Sequence, residues 1–111
     1  MTERYIRGTD VAVLISRGHG LGWSTWASKK YWPQIVFDPV IVDILINDSY
    51  SFDERQSRLR EICYLKYPDM YSDSVRTLSV QWVPQGTEFR VTEYDGSEAI
   101  ELRDQTEWLT A

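Results

Sequence analysis

The fold of this chain is decided by the apolar run Val11-Ala-Val-Leu-Ile15 and the turn that follows it, Ser16-Arg-Gly-His-Gly-Leu-Gly-Trp-Ser-Thr-Trp26. The run is short, continuous and rich in β-branched side chains, which predicts a buried strand over residues 11–16. Three of the six glycines follow within five residues. Because glycine reaches positive φ and lets other groups approach closely, we expect a tight turn directly after the strand.

The same turn contains the residue types of a nucleotide site. Its backbone N–H groups can cradle an anion, and the Arg17 guanidinium can pair with a phosphate. The indole faces of Trp23 and Trp26 can stack on a base. The alternative is structural, because such loops are often only tight turns and buried tryptophans are often core. The spacing also differs from that of the Walker loop and of the dinucleotide fingerprint Gly-x-Gly-x-x-Gly.

Composition narrows the class of protein. A length of 111 residues predicts one domain, residues 1–111, and a net charge of −5 argues against binding to nucleic acid polymers. No apolar run approaches the length of a membrane span and the N-terminus lacks the apolar core of a signal peptide, so we expect no membrane partner. Cys63 is the only cysteine and is predicted to be buried on a helix. One cysteine and one histidine argue against a zinc site.

Two helices are predicted in the middle of the chain. Asp38 is a favourable N-cap with Pro39 at the first helical position, although the β-branched residues that follow leave a strand as the alternative. Ser51 and Glu54 have the spacing of a capping box for a second helix, which Pro68 ends. The apolar face of this helix is predicted to contain Phe52, Leu59, Ile62, Cys63 and Lys66.

The last third of the chain has strand patterns. Side chains alternate over residues 78–82 and 89–94, and Asp95-Gly96 is a hairpin signal before a return strand over residues 99–102. Trp108-Leu109 is predicted to close the sheet. The predicted fold class is therefore α+β, with an N-terminal strand and glycine-rich turn, two central helices and a C-terminal antiparallel β-meander.

Catalytic residues are not indicated by the sequence. His19 is the only histidine, and no acid partner is identifiable for it beside Ser16 or Ser24. Glu93 and Asp95 have the spacing of paired carboxylates, but they are explained more simply as a strand residue and a turn residue. We predict binding without chemistry, with no catalytic residue, no metal and no cofactor.

Two motifs give the chain a family resemblance. The first, Ile-Ser-Arg-Gly-x-Gly-x-Gly-Trp-Ser-Thr-Trp, ends at Trp26, and the second, Val-Pro-x-Gly-Thr-x-Phe-Arg-Val-x-Glu-Tyr-Asp-Gly-Ser-Glu, ends at Glu98. Together they cover about a quarter of the chain and bracket almost all of it. A strand ending in the first motif and followed by two helices resembles small proteins of tailed phages and prophages. That family is similar to the anti-Thoeris sponge proteins of the first described type.

The resemblance implies a function and a location. Such sponges sequester the cyclic ADP-ribose isomers made by bacterial TIR-domain defence enzymes, which implies a cyclic nucleotide ligand held without turnover in the cytoplasm of an infected bacterial host. It also implies a homo-oligomer, a dimer or a hexamer, and separate sites for cyclic oligonucleotides in some members.

The residue chemistry is compatible with such a ligand. Arg17 and the backbone of residues 18–22 would meet the pyrophosphate, a tryptophan would stack on the base, and the hairpin of the same or a neighbouring subunit would complete the pocket. Arg103 lies outside the matched motifs and is a further phosphate-binding candidate. The predicted ligand-binding residues are Arg17, Gly18, Gly20, Gly22, Trp23, Ser24, Trp26, Phe89, Arg90, Glu93, Tyr94, Asp95 and Arg103.

Two other functions remain open at this point. A protein that inhibits a host defence complex by direct contact predicts an exposed acidic or aromatic patch and no affinity for small nucleotides. A small enzyme acting on a nucleotide predicts turnover that depends on His19 or Glu93.

Overall fold

A computed structural model describes residues 2–103 of the chain. Over this range the chain forms a three-stranded antiparallel sheet, a separate two-stranded hairpin and three consecutive α-helices, with short 3-10 helices before the first and after the third. The α+β class is confirmed. None of the helices within residues 2–103 is both long enough and apolar enough to cross a membrane.

The first sheet places the predicted strand at its centre. Strands β1 (Ile6–Arg7), β2 (Asp10–Ser16) and β3 (Leu78–Pro84) lie in the order β1-β2-β3, and both pairings are antiparallel. Residues 11–16 of β2 are buried throughout, because β3 pairs along its whole length and its apolar side chains pack in the core. The strand predicted over residues 11–16 is therefore confirmed.

Hydrogen bonding alternates along β2, and this leaves the amide of its last residue, Ser16, without a partner strand. Arg17 N donates to Thr77 O at 3.1 Å on the β3 side, whereas Ala12 N donates to Tyr5 O at 2.9 Å on the β1 side. Successive residues of an antiparallel strand bond in opposite directions, so the N–H of Ser16 points to the β1 side. Strand β1 does not extend that far, and a buried N–H without an acceptor is costly.

The first two helices follow directly on one another. Helix α1 (Gln34–Phe37) was not predicted, and α2 (Pro39–Ile46) begins where the cap signal places it. The Asp38 carboxylate accepts from Val40 N at 3.0 Å and from Ile41 N at 3.4 Å. This cap confirms the helix and removes the strand alternative, because it satisfies the first amides of a helix.

Helix α3 (Phe52–Lys66) begins at the predicted capping box, where Ser51 Oγ accepts from Glu54 N at 3.2 Å. The prediction that Phe52 lies on the buried face is wrong, since its side chain is 66% exposed. Phe52 lies in the first turn of the helix, one turn before the core covers it. Burial raises the pKa of the Cys63 thiol. The buried residues of α3 are Gln56, Leu59 and Cys63.

A buried polar cluster joins α2 to the end of α3. Asp38 is fully buried, and its Oδ2 accepts from Tyr67 Oη at 2.6 Å and from Lys66 Nζ at 3.2 Å. Burial and then the hydrogen bond to Asp38 raise the pKa of Tyr67 far above its ordinary value. Together with the two capping amides, these donors satisfy a carboxylate that would otherwise be costly to bury.

The C-terminal strands do not form one meander. Strand β3 pairs with β2, while β4 (Phe89–Tyr94) and β5 (Ser97–Leu102) form a separate antiparallel hairpin. Asp95 and Gly96 have φ of 49° and 86°, as a two-residue hairpin turn with the right-handed strand twist requires. The predicted sheet contribution of Trp108-Leu109 lies outside the described residues.

We expect the free energy of unfolding to fall as pH rises above 10. In that range Tyr67 loses its proton in the unfolded chain but keeps it in the folded protein. The folded pKa lies above the unfolded value of about 10, so this contribution is complete below pH 10 and falls above it. Between pH 10 and 11 the loss is about 1 kcal/mol, measured as the free energy of urea unfolding.

Tyr67→Phe removes this component of the pH dependence, whereas the exposed Tyr64 provides the matched control Tyr64→Phe, which keeps it. Equal pH dependence in wild type and Tyr67→Phe contradicts the assignment.

Candidate functional site

The tip of the β4–β5 hairpin packs on the glycine-rich turn, and we call this contact the turn–hairpin junction (residues 17–26 against 93–98). Gly20 N donates to Asp95 O across it. A Cβ added at Gly96 would lie 2.8 Å from Leu21 N and 2.9 Å from Gly20 N. The backbones touch so closely that only a glycine fits at the tip, and the two sequence motifs meet at one end of the molecule.

Three of the predicted ligand-binding residues with large side chains, Arg17, Trp26 and Tyr94, are exposed at or beside the junction, as is His19. Trp26 is 47% and Tyr94 is 79% exposed, and the His19 ring meets Tyr94 edge-on with the ring centroids 6.2 Å apart. Arg17 is also exposed, and its Nη2 donates to Gln81 Oε1 at 3.0 Å. An indole and a phenol are thus exposed at the junction, while the exposed guanidinium of Arg17 is directed along β3 to Gln81.

Two other predicted residues of the turn belong to the core. Trp23 is fully buried, meets Tyr67 edge-on at 5.8 Å and donates from Nε1 to Ile35 O at 2.9 Å. Ser24 is 1% exposed, and its carbonyl accepts from Trp32 Nε1 at 3.0 Å. Neither side chain reaches a ligand without disrupting this packing, so Trp26 is the tryptophan available for stacking.

The remaining glycines of the motif serve close packing. A Cβ at Gly18 would overlap the Thr77 side chain, and one at Gly22 would overlap the Trp26 ring. Gly22 is buried beneath that ring, which holds the indole against the turn. These glycines therefore shape the surface on which Trp26 lies.

A buried carboxylate that sequence analysis missed lies under the junction. Glu98 is 2% exposed, and its Oε1 accepts from Ser16 N at 2.8 Å. Its Oε2 accepts from Trp23 N at 2.9 Å, Thr25 N at 3.0 Å and Thr25 Oγ1 at 2.5 Å. Within residues 2–103 no lysine or arginine forms an ion pair with it. Glu98 supplies the acceptor that the end of β2 lacks, although its sequence context is that of an ordinary strand residue.

The backbone of the turn is therefore largely occupied from within the chain. Gly20 N donates to Asp95 O and Leu21 N donates to Gly18 O at 3.2 Å, while Trp23 N donates to Glu98. These amides are not available to a pyrophosphate, which was the role expected of the backbone of residues 18–22. At this end of the molecule, a phosphate would meet the side chain of Arg17.

Glu93 and Asp95 have structural roles at the tip. Glu93 Oε2 accepts from Gly96 N at 2.8 Å, and Asp95 contributes its carbonyl to Gly20 and its positive φ to the turn. No group of three His, Cys, Asp or Glu side chains within residues 2–103 could hold a metal ion.

The two predicted arginines of the C-terminal region lie at the other end of the hairpin. Arg90 pairs with both Glu101 oxygens at 2.9 and 3.0 Å, and Arg103 pairs with Glu88. Phe89 and Tyr94 are the first and last residues of β4, five residue steps apart, which is about 17 Å at the usual rise. Within one molecule these arginines are not brought to the turn–hairpin junction.

Phe89 faces a groove at that distant end. Its ring meets Phe37 edge-on at 6.0 Å, and the groove beside the pair has a volume of about 250 Å³. The groove has aromatic and aliphatic walls, with Arg90 among its lining residues. Its other lining residues include Trp32, Pro33, Val36 and Val91.

Comparison with known proteins finds no family model, no curated protein and no solved structure that matches this chain.

Packing at the hairpin tip predicts different costs for two glycine substitutions. Gly96 and Gly86 share a φ of +86°, but a Cβ at Gly86 meets no atom within 4 Å. Gly96→Ala adds a collision with the turn to the backbone strain that both variants have. We expect Gly96→Ala to lower the free energy of urea unfolding by roughly 1–3 kcal/mol more than Gly86→Ala. Equal losses would mean that the tip is not packed on the turn.

Proposed function

We propose that the protein binds a cyclic ADP-ribose isomer or a related cyclic nucleotide and holds it without turnover, as a phage-encoded sponge. The proposal is carried by the packing of the hairpin tip on the glycine-rich turn. That packing leaves the rings of Trp26 and Tyr94 exposed at one end of the molecule, beside the turn that begins at Arg17, whose exposed guanidinium bonds Gln81. A guanidinium fits the pyrophosphate of such a ligand, and two aromatic faces fit its base.

Tight binding of this ligand requires an enclosed site. A nanomolar dissociation constant corresponds to about −12 kcal/mol, which one exposed arginine and partly exposed rings do not supply. The proposal therefore includes a homo-oligomer, a dimer or hexamer, in which a neighbouring copy covers the junction. The distant end of the hairpin, with Arg90 and the groove beside Phe89, is what such a copy would contribute.

The proposal assigns no chemistry to the titratable residues at the junction. The His19 ring lies edge-on to Tyr94, and Glu93 accepts from the Gly96 amide. In this account both residues hold the shape of the tip, so bound nucleotide is released unchanged. The ligand is made in the cytoplasm of an infected bacterium, which is where the sponge would act.

Direct inhibition of a host defence complex is a second candidate, favoured by a different surface. Tyr64 and Leu65 on α3 are 77% and 66% exposed, and Tyr71 beyond the helix is 61% exposed. These three lie within eight residues of sequence, and patches of exposed large apolar side chains are typical of protein-binding surfaces. This candidate predicts no affinity for small nucleotides.

Native mass spectrometry of the protein purified from cells with an active TIR-domain enzyme tests the proposal. We expect a protein–nucleotide complex that releases an intact cyclic ADP-ribose isomer on heating. Protein recovered empty, from cells in which synthesis of the signal is confirmed, would exclude this ligand and favour the protein-contact candidate. Release of a cleaved nucleotide would instead indicate an enzyme.

Replacing the exposed side chains should weaken binding without unfolding the chain. Trp26→Ala removes a stacking face and Arg17→Ala removes the phosphate partner, so each should raise the dissociation constant by roughly tenfold to a hundredfold in calorimetry. The controls are Trp82→Ala and Arg60→Ala. The Trp82 ring centroid lies 3.9 Å from Arg7 Cζ, and Arg60 is exposed. Unchanged affinity in Trp26→Ala and Arg17→Ala, with folding verified by circular dichroism, would rule out this site.

A further inference from the structure

We infer that Glu98 is a positioning residue of the proposed ligand site, because its carboxylate acts as the internal anion around which the glycine-rich turn is folded. The part of the inference that concerns ligand affinity rests on the proposed function. The part that concerns the turn stands on the contacts of Glu98 alone and is testable without a nucleotide.

Four donors converge on one buried position, which we call the anion nest: Ser16 N, Trp23 N, Thr25 N and Thr25 Oγ1. Their distances to the Glu98 oxygens lie between 2.5 and 3.0 Å. Backbone amides that converge in this way form a concave anion site. The motif therefore does hold an anion, but with the amides of Ser16, Trp23 and Thr25 and not with those of residues 18–22, and the anion is a side chain of the same molecule.

The nest requires a carboxylate and not merely a side chain of the right length. Ser16 N donates to one oxygen of Glu98, while the other oxygen accepts from both groups of Thr25 and from Trp23 N. Only donors face the two oxygens. A glutamine amide accepts at one end and donates at the other, so Glu98→Gln directs an N–H at a donor in either orientation.

Contacts of Glu98 determine where the two exposed ligand groups lie. Thr25 and Trp26 belong to the 3-10 helix Ser24–Trp26, whose preceding residue, Trp23, makes no capping bond with its own side chain. Glu98 accepts from amides at the start of this helix and so performs the cap. The Trp26 indole projects from the helix over Gly22 and Gly96, and its position therefore depends on the cap.

Arg17 is positioned from the same strand. Its N–H is bound to Thr77 O at 3.1 Å, and its carbonyl accepts from Ser97 Oγ at 3.2 Å. Ser97 directly precedes Glu98, which holds the neighbouring Ser16 amide. With the nest already filled, phosphate recognition passes from the backbone to the Arg17 guanidinium.

Chemical rescue tests this inference. Glu98→Ala removes the carboxylate and leaves the four donors of the nest unpaired, and formate is a carboxylate small enough to replace it. Thermal midpoint and tryptophan emission are recorded as sodium formate is titrated against sodium chloride of equal ionic strength. Affinity for the cyclic ADP-ribose product of a TIR-domain enzyme is measured at the ends of the titration. Leu59→Ala, a fully buried core change on α3, is the matched destabilised control.

We expect formate to raise the midpoint of Glu98→Ala saturably, or to permit its refolding if it does not fold in chloride, and to return the emission towards that of wild type. Wild type and Leu59→Ala should show no such response. Without formate, Glu98→Ala and Glu98→Gln should bind nucleotide about a hundredfold more weakly, the scale for losing bonds to a charged group, and formate should restore most of this loss in Glu98→Ala. Thr25→Val, which keeps the carboxylate and loses one donor, should bind less weakly than either.

Three results would overturn the inference. One is wild-type affinity in folded Glu98→Ala. Another is a formate response that Leu59→Ala shares, and the third is the absence of any formate response in stability, refolding and emission. If formate rescues the fold and emission while wild type itself binds no nucleotide, the internal anion stands and the proposed function fails.

Discussion

The amide at the end of the central strand is the constraint on which the site-bearing half of the molecule depends. Strand β2 extends beyond its short neighbour β1, so the Ser16 N–H points into the protein with no strand to receive it. Leaving such a group unpaired costs about 1–3 kcal/mol. The acceptor comes from Glu98 on β5, and the same carboxylate orders the turn and holds the hairpin against it.

Two buried carboxylates each connect a different set of secondary-structure elements. Asp38 begins α2 and ties it to the end of α3 through Tyr67 and Lys66. Glu98 ties the end of β2 to the hairpin and forms no ion pair within the described residues. The carboxylate of Asp38, among the helices, is therefore paired with a lysine cation. The carboxylate of Glu98, at the turn–hairpin junction, is instead hydrogen-bonded by backbone amides and one hydroxyl. Because the donors are fixed by the backbone, the second arrangement is sensitive to small displacements of the turn.

Capping and turn motifs correctly predicted those helix and strand ends that depend on residues close together in the sequence. The cap at Asp38, the cap at Ser51 and the Asp95-Gly96 turn each act within four residues, and all three lie where they were predicted, although Glu54 accepts from the Ser51 hydroxyl and not from its amide. Pairing of β3 with β2 was not predicted, because alternation in a strand does not identify its partner. The predicted meander, which assumed that strands consecutive in sequence pair with one another, is therefore wrong for β3, which pairs with β2 and not with β4.

The contact between the glycine motif and the hairpin was predicted, but the separate roles of the residues within it were not. The glycine motif and the hairpin do meet, yet Trp23 and Trp26 are of one residue type and only the structure separates the core ring from the exposed one. Glu98 was not identified, because a glutamate in a strand of alternating side chains ordinarily faces solvent. Its role depends on an amide far away in the sequence, and no periodicity or spacing contains that information.

The bond from Ser16 to Glu98 spans 82 residues of sequence. A contact between such distant residues costs loop-closure entropy, because the intervening chain must be brought together to form it. During synthesis the glycine motif leaves the ribosome long before the glutamate that completes it. The motif is therefore not an autonomous module: grafted onto another protein, or excised as a peptide, it would lack its anion and would not adopt the conformation seen here.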